Sequence, residues 1–127
     1  MTNEPEETGR VWAVASYASF FVGLPLFIGP LLLRNDAFAL HHAKQAAVAW
    51  GALLAGGAVV ALFVSMLSFF TCGIGGLLGW PAAALVPLWP IVIAAHGTLL
   101  AATGDRGCPV GTFGLGDLVF GGVTAIP

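Results

Sequence analysis

Three long apolar stretches separated by short polar breaks set the pattern of this chain. They cover residues 11–33, 46–70 and 80–102. At 1.5 Å per residue a helix over 11–33 reaches about 34 Å, enough for a hydrocarbon core of about 30 Å with some tilt. Each stretch is therefore predicted as a transmembrane helix. The expected fold class is all-α, an integral membrane helical bundle of three spans. Pro25 and Pro30 fall in the second half of the first span, and each lacks an N–H and frees a carbonyl four residues back. Pro81 sits in the first turn of the third span, where proline is tolerated, but Pro87 and Pro90 lie inside it. The first and third spans are thus expected to be proline-kinked. Trp12 and Tyr17 suit an interfacial aromatic belt. Around this three-span domain (11–109), residues 1–10 read as a polar, disordered tail and 110–127 as a Gly-rich apolar tail lying irregularly on the surface. An uncharged Gly-rich connector, 71–79, joins the second and third spans.

Composition supports the membrane reading. The chain is 58% hydrophobic and 8% charged, with a mean hydropathy of +0.96. A soluble domain carries about 25% charged residues, so this one has too few to cover a surface in water. The lipid bilayer is the expected partner. The net charge is −2 with four Lys/Arg in all, which excludes a phosphate-neutralising patch and with it nucleic acid. The acidic N-terminus lacks the basic region of a secretory signal, so the first apolar run is expected to be retained as a span. With three spans, Arg10 shares a face with the connector, and Arg34, Lys44 and Arg106 share the other. The positive-inside rule then puts the His41–Gln45 face in the cytoplasm and the N-terminus outside. Cys72 and Cys108 fall on opposite faces and are expected to be free thiols.

The densest polar cluster lies between the first two spans. A charged group at a helix centre in hydrocarbon costs roughly 2.5–3.5 kcal/mol on insertion scales, so this cluster needs a physical reason. The three-span arrangement collects Pro30, Arg34, Asp36, His41, His42, Lys44, Gln45 and Arg106 on one face. His96 lies about 9 Å inside it. One reading is a polar interaction site where the second and third helices meet. The other is a zone of capping by Asp36 and snorkelling by Lys44 and Arg34. His41, His42, His96 and Cys108 could approach one another, and imidazole with thiolate suits zinc or copper. Adjacent histidines on a helix point about 100° apart, however, and no Cys-x-x-Cys or His-x₃-His is present, so no metal ligand or cofactor is assigned. Nor is there a Gly-x-Ser-x-Gly, a phosphate loop or a His-Glu-x-x-His, and the expectation is a protein that is not an enzyme. Small residues recur every four positions at Ala15, Ser19 and Gly23, at Ala43, Ala47, Gly51 and Ala55, and at Gly97 and Ala101. Such stripes let helices approach closely in lipid. Gly51, Ala55 and Gly97 are the candidate packing positions, within one chain or in a homo-oligomer.

The segment Pro30-Leu31-Leu32, Arg34-Asn35-Asp36 and His42-Ala43-Lys44-Gln45 resembles the core signature of the Tic-type small membrane proteins. That family is related to the membrane core of the chloroplast inner-envelope translocon, and the likeness is closest to its magnetosome MamF/MmsF-like members. Gly104-Asp105-Arg106 and Pro109 roughly match the polar turn after the family's third span. The Gly-rich tail and the apolar connector depart from the pattern. The resemblance implies a bacterial inner membrane, or one derived from it, and a non-enzymatic membrane component with a cytoplasmic or membrane protein partner. It leaves three functional expectations open. The first is a self-associating, membrane-organising or partner-docking protein. The second is a subunit of a protein- or solute-translocation pathway. The third is a metal-binding membrane protein.

Overall fold

The computed structural model describes residues 7–127. The first six residues of the expected N-terminal tail lie outside that range, and the remainder of the tail is helical. The elements are α1 (Glu7–Val22), α2 (Ile28–Leu33), α3 (Ala37–Phe70), α4 (Ile74–Ala83), α5 (Leu88–Thr103) and α6 (Leu115–Val119). Two runs are long and apolar enough to cross a membrane: α3, with 34 residues, and Ile74–Thr103, with 30. The second contains α4 and α5, which follow one another through a turn at 84–87, just before and at Pro87.

The first apolar run does not form the single helix expected over 11–33. Gly23 adopts φ 77°, a left-handed conformation that ends α1, and Pro25 cannot rejoin the hydrogen-bond ladder. The chain then turns back. Gly29 on α2 lies beside the Trp12 ring of α1, where an added Cβ would sit 3.2 Å from it, and a Cβ on Gly9 would overlap the Asp36 carboxylate. The two ends of residues 9–36 therefore meet. Phe20 and Phe27, near the tip, both stack against Trp50 of α3, with ring centroids 5.3 and 6.2 Å apart. Together, α1 and α2 form a helical hairpin laid along the first half of α3.

Helix α3 runs unbroken because its 34 residues contain no proline and Asp36 caps it cleanly. The Asp36 Oδ1 accepts from the Ala39 N–H at 2.7 Å, filling one of the four donors a helix start leaves open. Its length is about 51 Å. The first half is the protein's core: Phe38, Ala39, Leu40, Ala43, Ala46 and Ala49 are buried against α1, α2, α5 and α6. Beyond Ala49, α3 buries only Val64 and packs on α4. Leu54, Leu62, Phe63, Phe69 and Phe70 of this half are exposed, as are Leu77, Leu78 and Trp80 opposite. Exposing each such side chain to water costs about 1.5–3 kcal/mol, so this surface is built for an apolar surrounding.

The small-residue positions divide. Gly97 is required by close approach, since a Cβ there would overlap the Tyr17 ring of α1. Gly51 has open space where a side chain would go, and Ala55 is exposed, so these two are not contacts within the chain. Gly51 borders an open groove beside Leu115, Val119 and Phe120 of α6. Gly97→Leu is expected to lower the stability of detergent-purified protein by about 2–3 kcal/mol through overpacking. Gly51→Leu is expected to change monomer stability by no more than about 0.5 kcal/mol. Thermal melts followed by circular dichroism measure both; equal melting temperatures for the two variants would contradict this packing.

Candidate functional site

The end of the molecule where α1 and α3 begin and α5 finishes holds nearly all the polar chemistry. Its centre is His42, in the second turn of α3 and fully buried. Its Nε2 lies 2.8 Å from the Asp105 carbonyl oxygen and its Nδ1 lies 3.3 Å from the Tyr17 hydroxyl. A carbonyl can only accept, so Nε2 carries the proton and donates it, which leaves Nδ1 to accept from Tyr17. Phe38 packs edge-on against the same ring, with centroids 4.6 Å apart. His42 is therefore neutral, satisfied at both nitrogens, and joins α1, α3 and the end of α5. It is neither a snorkelling residue nor free to bind a metal.

A second group gathers around Asp117, in α6. Its Oδ2 lies 3.3 Å from His41 Nδ1 and 3.1 Å from Gln45 Nε2, and its Oδ1 lies 3.8 Å from Lys44 Nζ. The Gln45 amide also donates to Cys108 Sγ at 3.7 Å. Gln45 is fully buried and its Oε1 has no partner among the described residues. The α6 segment can come this close because Gly116 has no side chain; an added Cβ would lie 2.7 Å from the Lys44 carbonyl carbon. Partial burial, and then the Asp117 charge, push the Cys108 thiol above its usual pKa. His41, Cys108 and Asp117 form a trio whose ligand atoms all lie within 4.8 Å of one another.

The remaining sequence candidates have local duties. Arg34 takes a left-handed conformation (φ 52°) to close α2, and its N–H reaches the carbonyl of Pro30, itself buried. The Arg34 carbonyl accepts from the Ile126 N–H at 2.7 Å. His96, half-buried, accepts the Val110 N–H on Nδ1 at 2.9 Å and stands apart from the His42 group. Arg106 is exposed on the loop after α5. The C-terminal segment is thus not a loose surface tail but is tied to the body at Val110, Asp117 and Ile126. Two participants were not among the sequence candidates. Tyr17, read there as an interfacial residue, is fully buried. Asp117 is the one acid in the stretch 110–127, and a lone charge in an apolar segment was the available sign that it has a partner.

No protein-family model, curated protein or solved structure gives a significant match to this chain.

His42→Ala is expected to destabilise the protein by about 3 kcal/mol, because it leaves a cavity and strands the Tyr17 hydroxyl. Tyr17→Phe is expected to cost about 1 kcal/mol. In the double variant the Tyr17 contribution should disappear, which a double-mutant cycle in detergent measures directly. Strict additivity would mean that the two side chains are not coupled.

Proposed function

We propose that this chain is a small non-enzymatic integral membrane protein that organises membrane or docks a partner, and that it associates with copies of itself. The observation that carries this reading is the distribution of its side chains. Polar groups are packed inside at one end, while the outer surface of α3, α4 and α5 is apolar over most of its length. Lipid is the solvent that suits such a surface. The motif resemblance to Tic-type membrane proteins supports a bacterial inner membrane, or one derived from it.

The proposed topology has two crossings, on α3 and on the α4–α5 run, in place of three. Residues 7–36 enter from one side and return to it as a re-entrant hairpin. Glu7, Pro127 and all four basic residues then lie on the same face. Arg10 sits beside Gly104, Arg34 beside Ile126, Lys44 beside Asp117, and Arg106 follows α5. A bias this complete supports a cytoplasmic location for that face. The far connector at Thr71–Gly73 has no charge.

Self-association is supported by Gly51 and Ala55, exposed on α3 just beyond the reach of the hairpin. A translocation pathway is less well supported. The polar residues that would line it do not share a crevice: Ser65 and Ser68 are near the far end of α3, and His96 and Thr98 are near the other end. The Ser65 and Thr98 hydroxyls are each occupied by a carbonyl of their own helix.

Topology is tested by placing a cysteine at the exposed Thr8 in a Cys72→Ser background and applying a membrane-impermeant thiol reagent to intact cells. Two crossings predict that Thr8→Cys labels only after lysis, whereas three crossings predict labelling from outside. Self-association is tested by crosslinking in membranes. Gly51→Leu is expected to reduce the dimer fraction several-fold while leaving the monomer's melting unchanged; an unaltered dimer fraction would remove α3 as the contact.

A further inference from the structure

We propose that His41, Cys108 and Asp117 form a binding site for a borderline-soft divalent cation, of which zinc is the best fit. The three residues come from three separate segments: α3, the loop after α5, and α6. The His41 Nδ1 and Asp117 Oδ2 atoms are 3.3 Å apart, and the Cys108 Sγ lies within 4.8 Å of a ring nitrogen of His41 and a carboxylate oxygen of Asp117. Nitrogen and oxygen ligands at tetrahedral angles around zinc, with bonds of about 2.0–2.1 Å, are themselves about 3.3 Å apart, so this edge already has the spacing of a filled site. The sulfur needs to move inward by about 1 Å, since a zinc-bound thiolate lies about 3.6 Å from the other ligands. Cys108 is exposed and sits on the loop after α5, so a change of its side-chain rotamer supplies the movement.

The surroundings are those of a ligand site rather than an ordinary ion pair. Gln45 is fully buried, and its amide faces both Cys108 and Asp117. Its N–H groups orient the thiolate and the carboxylate from behind, the usual duty of the groups that surround a metal's direct ligands. Its Oε1 has no partner among the described residues. Gln45 keeps its N–H groups on Cys108 and Asp117, and a solvent water supplies the fourth ligand. Lys44 holds the other carboxylate oxygen, Oδ1, and leaves Oδ2 for the metal. A small cavity of about 210 Å³, lined by His41, Lys44, Asp117 and residues 123–125, opens beside the trio and supplies the route of entry. Thiolate, imidazole and carboxylate together favour zinc over magnesium or calcium, which prefer oxygen alone. Binding releases the Cys108 thiol proton to solvent and changes no oxidation state. His42, saturated at both nitrogens, takes no part.

The test uses full-length, tag-free protein in detergent, titrated with cobalt(II) as the spectroscopic stand-in for zinc. The expected result is one equivalent bound, with a thiolate-to-cobalt charge-transfer band and the visible bands of a four-coordinate ion. Cys108→Ser should abolish the charge-transfer band and His41→Ala should weaken binding at least tenfold, whereas Cys72→Ser should leave the bands intact. Variants are compared only where far-ultraviolet circular dichroism matches the parent. A second readout needs no variant: zinc should slow alkylation of Cys108 at least tenfold and leave Cys72 unaffected. Absence of the band, its survival in Cys108→Ser, or equal alkylation of both thiols with and without zinc would each overturn the site. None of these results bears on the membrane topology, which the Thr8→Cys labelling decides separately.

Discussion

One imidazole holds the polar end of this protein together. His42 is surrounded by protein, and a buried ring nitrogen without a partner is costly where water cannot replace it. Both nitrogens are satisfied only when the Tyr17 hydroxyl and the Asp105 carbonyl arrive together. That requirement fixes how α1 and the end of α5 sit on α3. Gly97 follows from it, because α5 must pass directly against the Tyr17 ring. The hairpin follows as well, since α1 has to lie beside the first half of α3 for Tyr17 to reach.

Around this neutral centre lies a charged layer with a different role. Asp117 draws α6 onto His41, Lys44 and Gln45, and the bond from Ile126 to Arg34 ties down the end of the chain. Each pair joins a largely buried base, His41 or Lys44, to the half-exposed Asp117, whose access to water limits what either contributes. The glycine at 116 and the buried Gln45 amide contribute more, because together they leave a single way for the segment to dock. His42 and Gln45 thus lie inside and Asp117 is pinned against Gln45 and its neighbours, while the second half of α3 and α4 turn large apolar side chains outward.

Much of the long-helix architecture was legible in the residues. A cap for α3 at Asn35 or Asp36, and the proline-free run behind it, could be read locally, because capping acts within a turn or two. The hairpin could not. Gly23 and Pro25 announced a disturbance, but a kink and a reversal have the same local chemistry. What separates them is the docking of Gly29 on Trp12 and of Phe27 on Trp50, contacts between positions far apart in sequence. The same limit hid the site. His41, His42, Lys44 and Gln45 stood out as a cluster, yet which of them is structural depended on Tyr17 and Asp117, which are 25 and 72 residues away from their partners His42 and Gln45.

The hairpin's one-sidedness has a mechanical consequence. Along its first half α3 is flanked by α1, α2, α5 and α6, and along its second half by α4. In the proposed two-crossing arrangement, a body built this way would be a wedge, displacing more lipid from the leaflet next to its polar end than from the other. In a flat bilayer it crowds one monolayer and leaves the opposite one slack. The stress is least where that monolayer is already stretched over a convex surface, so wedges of this kind would collect at bends and, at sufficient density, hold the bend in place.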